Sequence, residues 1–501
     1  MTLSKYLKNI DSLIAAILGY IAIYIYTKYS GIGISPDSIM YASTAHSIYA
    51  HGSLITFNGG PLVFFPVFYP FFLSVVLFIS RVDTILAAPV INGLLFAIVI
   101  FTSGYIISKF KSHSLVYKWL ILIAIVMSPA LLEIYTYLWS ETLFIFEVML
   151  FVWAYYHYMQ KHNMISLLLL SILVAISCIT RYAGVTLIVT GGLMLLLDNQ
   201  LAIRKKTGHI LIFGFVSISL LVVNLIINRL ATGLSTGTRE PSITPLSKNL
   251  YYFGTVMCDW MALPQTFYPY AIALACIILG FLVGLLVWKF YKGKINTGES
   301  IIIMFAAVYG IFIPVLASFS RFEPLNSRLL SPMFICLLIG ATSWIPDVIK
   351  RVNITKQVIF AIPFVVLMLA FEYAVGAIDY QRYDDENDYG VPGYTDDDWN
   401  KSEFITFLKT HKDIYKPGVP KYSDADEAVY FFTQSNAILL PHRYFTNTVK
   451  QFYGVKHYYL IWFNSLNNTE LIGLQDIVKR EKLTKLYQLK DGAIYEYDSK
   501  K

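Results

Sequence analysis

Long uninterrupted apolar runs constrain this 501-residue chain more than any other feature. They recur along the first three quarters of the sequence, most of them 16 to 23 residues long. A helix of about 20 apolar residues crosses a hydrocarbon core of roughly 30 Å, and a water-soluble fold could not bury so many such helices. Hydrophobic residues make up 56% of the chain and charged residues only 14%. The sequence therefore predicts a polytopic α-helical membrane protein.

We predict about eleven membrane spans. The first follows an N-terminal segment with two lysines; it is long for a signal peptide, and no small-residue cleavage pattern follows, so we expect a retained span. The four cysteines fit neither a disulfide framework nor a zinc-binding spacing. The predicted spans cover residues 12–27, 86–108, 119–137, 141–158, 164–179, 182–197, 209–227, 269–288, 299–317, 329–345 and 357–376.

Lysine and arginine are distributed unequally between the two sides of these spans. Fifteen basic residues fall in the loops on the side of the N-terminus, and eight in the longer loops on the other side. Because cytoplasmic loops retain positive charge, we predict a plasma-membrane protein with a cytoplasmic N-terminus. This assignment requires that the apolar run 61–80, which contains Pro61, Pro66 and Pro70, is not a span. Residues 31–85 then form one external loop of surface-lying helices.

The composition changes abruptly after residue 376, where nineteen acidic and sixteen basic side chains occupy the last 125 residues. Patterns there predict helices at 399–411, 427–433 and 471–483, a buried strand at 458–463, and two strands around the Asp491-Gly492 turn. We therefore divide the chain into a membrane domain, residues 1–376, and an extracytoplasmic α/β domain, residues 377–501. The acidic runs 384–388 and 396–398 are typical of a solvated linker, with a calcium site as the alternative.

A short polar segment opens the predicted external loop. Ser35 suits a helix N-cap and Pro36 the first helical position, which puts Asp37 in the first turn. An aspartate there stabilises the helix dipole, and that role alone could explain it. The alternative is a functional acid, because a carboxylate without a role is poorly placed beside lipid. Tyr41 follows Asp37 by four residues and is therefore predicted on the same face of this helix.

Other charged residues are predicted on the same outer side. Glu141 lies at the turn between the third and fourth spans, either as a helix cap or as part of a site facing a cavity. Arg181, Arg321 and Arg328 lie in external loops, where guanidinium groups can bind phosphate through paired donors. The alternative for each arginine is to anchor a helix end at the interface. The residues alone favour phosphate binding for Arg328 and anchoring for the other two.

These segments, in this order, resemble the GT-C membrane glycosyltransferases, and among them the protein O-mannosyltransferases and the bacterial aminoarabinose lipid A transferases. The first external loop carries an aspartate and a proline-interrupted apolar stretch. SPALLEIYTYLWSETLF is similar to the acidic second external loop, ITRYAGVTLI to the arginine turn that follows, and NSRLLSPMF to the basic loop before a late span. YSDADEAVYFFTQSNAILLP is similar to a segment of bacterial members that have an extracytoplasmic domain. The resemblance covers nearly the whole chain.

The resemblance implies transfer of a hexosyl or pentosyl unit from a polyprenyl-phosphate carrier to a lipid, glycan or protein acceptor. The reaction would occur at the outer face of the membrane and invert the anomeric carbon. A carboxylate can act as general base, a lipid phosphate needs no acid to leave, and arginines stabilise the developing charge. The lipid bilayer is the other expected partner, and no nucleic acid is expected. The implied base is Asp37, and the implied substrate contacts are Tyr41, Glu141, Arg181, Arg321 and Arg328.

A bound metal is not firmly predicted. Some members of the family carry two acids in the first loop, whereas here Ser38, Ile39 and Met40 follow Asp37. A divalent metal ion is therefore kept as an alternative only. His46 and His51 fit the polar face of an interfacial helix better than a set of metal ligands or acceptor contacts.

Two other classes of function compete with a transferase. Transporters and flippases tend to have inverted repeats and broken spans with charges near the midplane. This chain keeps its notable charges at the outer edge and shows no internal repeat. A receptor or assembly subunit would leave Asp37, Glu141 and Arg328 far apart, whereas a transferase needs them around one outward-facing cavity. We therefore predict a membrane glycosyltransferase, with a lipid or glycan transporter as the alternative.

The predicted orientation can be tested by labelling intact cells with a membrane-impermeant maleimide. A single cysteine placed near Asp491 is expected to react from outside, and one near Lys205 only after permeabilisation, because positive charge retains the loop of Lys205 in the cytoplasm. Labelling near Lys205 but not near Asp491 in intact cells would overturn the orientation.

Overall fold

The computed structural model describes residues 9–110, 114–321, 323–350, 354–466 and 468–500. Helices dominate as far as residue 389, and a small mixed sheet follows. Several basic residues that contribute to the predicted charge asymmetry lie outside the described part, namely Lys5, Lys8, Lys111, Arg351 and the side chain of Lys356.

The N-terminal helices follow the predicted spans closely. In chain order they are α1 (Ile10–Thr27), α2 (Pro36–His51), α3 (Phe68–Ser80), α4 (Thr84–Ile107), α5 (Leu115–Val126), α6 (Pro129–Tyr135), α7 (Glu141–Lys161), α8 (Met164–Thr180), α9 (Val185–Leu197), α10 (Ile203–Thr232), α11 (Leu246–Trp260), α12 (Ala271–Tyr291), α13 (Gly298–Phe319), α14 (Ser327–Leu330), α15 (Phe334–Thr342), α16 (Ile345–Lys350) and α17 (Ile354–Tyr389).

Within the described ranges, seven helical segments are long and apolar enough to cross a membrane, and an eighth is added if α5 and α6 form one bent span. The helices α8 and α9 are apolar but shorter. A polytopic helical membrane protein is confirmed, whereas the predicted count of about eleven spans is not. The seven segments are Ile10–Thr27, Thr84–Ile107, Glu141–Lys161, Ile203–Thr232, Gln265–Tyr291, Gly298–Phe319 and Ser327–Lys350.

The predicted span 119–137 is bent by 50° between α5 and α6. Proline at position 129 has no N–H to continue the helix, and Ser128 caps the new one by accepting the N–H of Leu131 at 3.3 Å. The end of α6 then reaches the first external loop, where the N–H of Gly33 donates to the carbonyl of Thr136 at 2.8 Å. The bend therefore brings two external segments together.

Residues 31–85, predicted as the first external loop, contain α2 and α3. The 13 residues of α3 extend for about 20 Å, too little to cross a core of roughly 30 Å. Pro61 and Pro66 precede this helix, and Pro70 lies in its first turn, where a missing N–H costs little. His46 ties the loop to the N-cap of α4, because its Nε2 lies 2.9 Å from the carboxylate of Asp83.

The C-terminal part contains five strands in one sheet, in the order β2-β1-β3-β5-β4. β1 is parallel to β2 and β3, and β5 is antiparallel to β3 and β4. The elements are α18 (Asp397–Asn400), α19 (Glu403–Thr410), β1 (Lys421–Ser423), α20 (Asp426–Thr433), β2 (Ile438–Leu439), α21 (Thr446–Tyr453), β3 (His457–Phe463), α22 (Leu474–Arg480), β4 (Thr484–Gln488) and β5 (Gly492–Asp498).

The predicted secondary structure of this part is largely confirmed. The helices at 399–411, 427–433 and 471–483 appear as α18 with α19, α20 and α22, and the three predicted strands appear as β3, β4 and β5. The strands β1 and β2 and the helix α21 were not predicted. Strands of three and two residues are too short to show an alternating pattern.

The prediction of an acidic linker was wrong, although Asp384, Asp385 and Asp388 are solvent-exposed as predicted. Residues 384–388 lie in the last turns of α17, where the buried carboxylate of Glu386 pairs with Arg382 at 2.6 Å and stabilises the helix. Asp396 caps α18 by accepting the N–H of Trp399 at 3.1 Å. These acids therefore build helices rather than interrupt them.

The C-terminal part contacts the first external loop directly. The N–H of Tyr394 donates to the carbonyl of Ile34 at 2.9 Å, and the Thr395 hydroxyl donates to the carbonyl of Ile32 at 2.9 Å. Further along, the rings of Phe57 and Tyr430 pack with centroids 4.9 Å apart. The segment that leads into α2 is therefore held between the membrane helices and the C-terminal part.

Candidate functional site

Asp37 lies in the first turn of α2, as the sequence predicts. The backbone N–H of Ser35 donates to Ser38 Oγ at 3.0 Å, which closes this turn. The indole N–H of Trp139 donates to Ser35 Oγ at 2.8 Å. The start of α2 is thereby attached to the segment between α6 and α7.

Glu141 is the centre of a chain of ion pairs. Its side chain is completely buried at the first position of α7. One carboxylate oxygen lies 2.7 Å from Arg328 Nε and the other 2.6 Å from Arg181 Nη1. Arg328 also pairs with Asp37 through Nη2. Two acids and two guanidinium groups therefore alternate in the order Asp37, Arg328, Glu141, Arg181.

Neutral side chains also contact the charged residues of this ion-pair chain. Ser140 Oγ accepts a hydrogen bond from Arg181 at 2.8 Å and lies 3.2 Å from the hydroxyl of the buried Tyr41. The guanidinium group of Arg328 lies 4.1 Å from the ring centroid of Trp139, in the geometry of a cation–π contact. Several contacts therefore hold each of the two guanidinium groups in place.

The short helix α14 fixes the backbone of Arg328. Asn326 caps it by accepting the N–H of Leu329 at 3.0 Å, and the indole N–H of Trp260 donates to Ser327 Oγ at 2.9 Å. Arg328 therefore projects from a turn that is held on two sides.

A tight turn after α8 fixes the backbone of Arg181. The turn continues into Gly184, where a Cβ atom would lie only 2.5 Å from the carbonyl oxygen of Ser177. A side chain at position 184 would therefore displace the turn, which explains the glycine in the ITRYAGVTLI segment.

The ion-pair chain lines an open cavity of about 480 Å³. This volume is in the range of small-molecule binding sites. Of the six predicted site residues, the structure brings five to this cavity, namely Asp37, Tyr41, Glu141, Arg181 and Arg328.

Arg321 does not join them. Its guanidinium group pairs with Glu240 at 3.5 Å and with Glu470 of the C-terminal part, and lies 4.0 Å from the ring centroid of Tyr444. Arg321 therefore connects an external loop to the C-terminal part, away from the cavity.

Two charged cavity residues were not singled out in the sequence. Arg239 follows α10, donates a hydrogen bond to the Phe64 carbonyl at 3.5 Å, and has no carboxylate partner within the described chain. Glu323 lies in the same loop as Arg321 and is exposed. Both residues lie in predicted external loops, as Arg321 and Arg328 do, but nothing local indicates which loop residues reach the cavity.

Glu323 adds a further carboxylate to the wall of the cavity. Desolvation raises the pKa of Glu323 above its ordinary value, against the opposing effect of the Arg328 guanidinium. The negative charges of Asp37 and Glu141 also raise this pKa. Glu323 therefore lies within electrostatic reach of Asp37.

The cavity does not fit a divalent metal ion. The carboxylates of Asp37 and Glu141 already pair with arginines, and positive charge beside a metal ligand opposes cation binding. Across the residues that the structure describes, no group of three or more His, Cys, Asp or Glu is placed to hold a metal.

No known protein-family profile and no curated protein matches the sequence. Among solved structures, the chain is similar to ArnT from Cupriavidus metallidurans in the apo state, with a TM-score of 0.58 and 10% identity over 100% of this chain and 99% of that one. The same protein bound to undecaprenyl phosphate gives a TM-score of 0.56 and 11% identity over 99% and 98% of the two chains.

A second similar protein is the archaeal oligosaccharyltransferase AglB from Archaeoglobus fulgidus, in complex with an inhibitory peptide and a dolichol-phosphate. It gives a TM-score of 0.53 and 11% identity over 92% of this chain and 70% of that one. At such identities the likeness establishes the fold. The chain therefore shares the membrane fold of ArnT and AglB, as the sequence resemblance predicted.

Removing the central carboxylate is expected to destabilise the protein. Glu141→Gln leaves two buried guanidinium groups with too little negative charge, and breaking a buried ion pair from one side costs about 3–5 kcal/mol. We expect a clear fall in the melting temperature of the detergent-solubilised protein. Glu323→Gln, on the same cavity but exposed, is the control and is expected to melt close to wild type. Equal melting temperatures for the two variants would contradict this account.

Proposed function

We propose that this chain is a membrane glycosyltransferase that moves a sugar from a polyprenyl-phosphate carrier to an acceptor hydroxyl at the outer face of the membrane, with Asp37 as the general base. The acceptor is a lipid, a glycan or a protein. The observation that carries the proposal is the cavity, where an acid in the first external loop lies beside several guanidinium groups in a chain with the GT-C fold.

The proposed reaction is a single displacement. The acceptor oxygen attacks the anomeric carbon while the bond from that carbon to the phosphate oxygen breaks, and the electron pair of that bond stays on the polyprenyl phosphate. Asp37 takes the proton of the attacking hydroxyl. Since phosphate is already a good leaving group, no residue has to protonate it. One displacement inverts the anomeric centre.

The cavity arginines are suited to the phosphate of the donor. Guanidinium groups form short charge-assisted hydrogen bonds to phosphate and stabilise the charge that develops as the bond breaks. Arg239 is the first candidate, because no described carboxylate competes for it. Arg328 is the second, since its Nη2 points to Asp37 on the cavity wall.

Phosphate binding would also change the contacts of Asp37. In the structure Asp37 and Glu141 share the guanidinium group of Arg328. A phosphate that takes Nη2 of Arg328 displaces Asp37, whose carboxylate then becomes available to the acceptor hydroxyl. Donor binding and exposure of the base would thus be coupled by competition for one cation.

No observation favours the transporter alternative. The solved structures that share the fold include an oligosaccharyltransferase. Asp37 and Glu141 lie in the first turns of their helices rather than at midspan. The ion pairs that they form therefore lie at helix ends.

The base role of Asp37 can be tested with purified Asp37→Asn and a panel of polyprenyl-phosphate sugars and acceptors. A general base contributes about 10²–10⁴-fold, so transfer is expected to fall at least about 100-fold while binding of undecaprenyl phosphate persists. Glu323→Gln removes an exposed acid from the same cavity and is expected to retain most of the activity. Undiminished transfer by folded Asp37→Asn, or loss of transfer in Glu323→Gln alone, would remove the base role from Asp37.

The phosphate role of Arg239 can be tested by equilibrium binding of undecaprenyl phosphate to the purified protein. A charged hydrogen bond contributes about 1.5–3 kcal/mol, so Arg239→Ala is expected to raise the Kd about tenfold or more. Arg229→Ala removes the same charge from the exposed end of α10 and is expected to leave the Kd unchanged. Equal weakening in both variants would indicate a general charge effect and contradict the assignment.

A further inference from the structure

Glu147 is a buried acid that the proposed reaction does not use. It lies in the second turn of α7, and 3% of its surface is exposed. A carboxyl group inside a membrane helix is costly and usually has a specific partner. No ion pair joins Glu147 to a Lys, Arg or His of the described chain, so its partner has to be a neutral group.

That partner is Thr180. The Thr180 hydroxyl lies 2.7 Å from Glu147 Oε1 in a buried contact and 3.1 Å from the carbonyl oxygen of Ile176 in its own helix, so the contact with Glu147 is the shorter of its two possible hydrogen bonds. No described donor reaches Glu147 Oε2 within hydrogen-bonding distance, and the hydroxyl of nearby Ser177 donates instead to the carbonyl of Leu173 at 2.9 Å. The contact with Thr180 is therefore the hydrogen bond through which the carboxyl group acts on its surroundings.

Thr180 connects this contact to the site. It is the last residue of α8 and lines the cavity. The next residue, Arg181, leaves the helical conformation, with φ −145° and ψ 141°, and turns its guanidinium group to Glu141. The helix α7 thus holds the end of α8 at two points, with Glu147 on Thr180 and Glu141 on Arg181.

We propose that Glu147 is a positioning residue whose carboxyl oxygen holds Thr180 and thereby keeps Arg181 aligned with Glu141. Because Glu141 also binds Arg328, a shift of Arg181 reaches the proposed phosphate-binding wall of the cavity. The inference rests on the proposed function at one point only, because that function is the reason for choosing undecaprenyl phosphate as the ligand in the test.

Three substitutions isolate the hydrogen bond. Glu147→Met removes the acceptor at similar volume, Thr180→Val removes the donor, and Glu147→Gln keeps an acceptor oxygen. The first two are expected to weaken binding of undecaprenyl phosphate about tenfold, as for a buried hydrogen bond of about 1–2 kcal/mol, and Glu147→Gln to restore it. The double variant Glu147→Met with Thr180→Val should bind no more weakly than either single variant, because both break the same contact.

The matched control is Thr190→Val. Thr190 is also buried, but its hydroxyl donates to the carbonyl of Thr186 within the same helix, at 2.7 Å. Its substitution is expected to leave binding unchanged. Thr180→Val, the milder of the two disruptive changes, tests the contact even if Glu147→Met does not fold.

Hydrogen–deuterium exchange of the ligand-free protein gives a readout that needs no activity. Residues 177–185 are expected to exchange faster in Glu147→Met and Thr180→Val, and at the wild-type rate in Glu147→Gln and Thr190→Val. Unchanged exchange and binding in the first two variants, or additive losses in the double variant, would overturn the inference. Failure of the proposed function would appear differently, as wild-type protein that neither binds undecaprenyl phosphate nor transfers sugar.

Discussion

The buried carboxylate of Glu141, held between two guanidinium groups, is the interaction on which the site depends. It joins Arg181 after α8 to Arg328 in α14, and Arg328 extends the chain to Asp37 in α2. One buried group therefore connects four segments that are far apart in sequence. Because a buried carboxylate is stable only with its cations in place, this arrangement sets the shape of the cavity before a ligand enters.

Helix ends make this arrangement compatible with a membrane protein. Asp37 and Glu141 begin their helices, where the helix dipole favours a negative charge, and Arg181 follows the end of α8. The ion pairs of the cavity are thus concentrated at helix ends and in the connections between helices. The C-terminal part contacts the same connections through Ile32 and Ile34. In the proposed reaction, guanidinium groups held in this way would stabilise a developing phosphate charge without rearranging first.

The fold and much of the cavity could be predicted from local patterns. The Ser-Pro-Asp start of a helix indicated Asp37, and a charge beside an apolar run indicated Glu141 and Arg328. The residues alone favoured an anchoring role for Arg321, and only the family resemblance placed it among the substrate contacts; its partners Glu240 and Glu470 lie 81 and 149 residues away in sequence. Arg239 was missed for a related reason, since only tertiary packing brings its loop to the cavity.

The most direct test of the central claim is a cryo-EM structure of the protein with undecaprenyl phosphate. The account predicts phosphate oxygens within hydrogen-bonding distance, about 3 Å, of both Arg239 and Arg328. It also predicts that Asp37 separates from Arg328 while Glu141 keeps both of its arginines. A phosphate bound outside this cavity, with the pair of Asp37 and Arg328 intact, would contradict it.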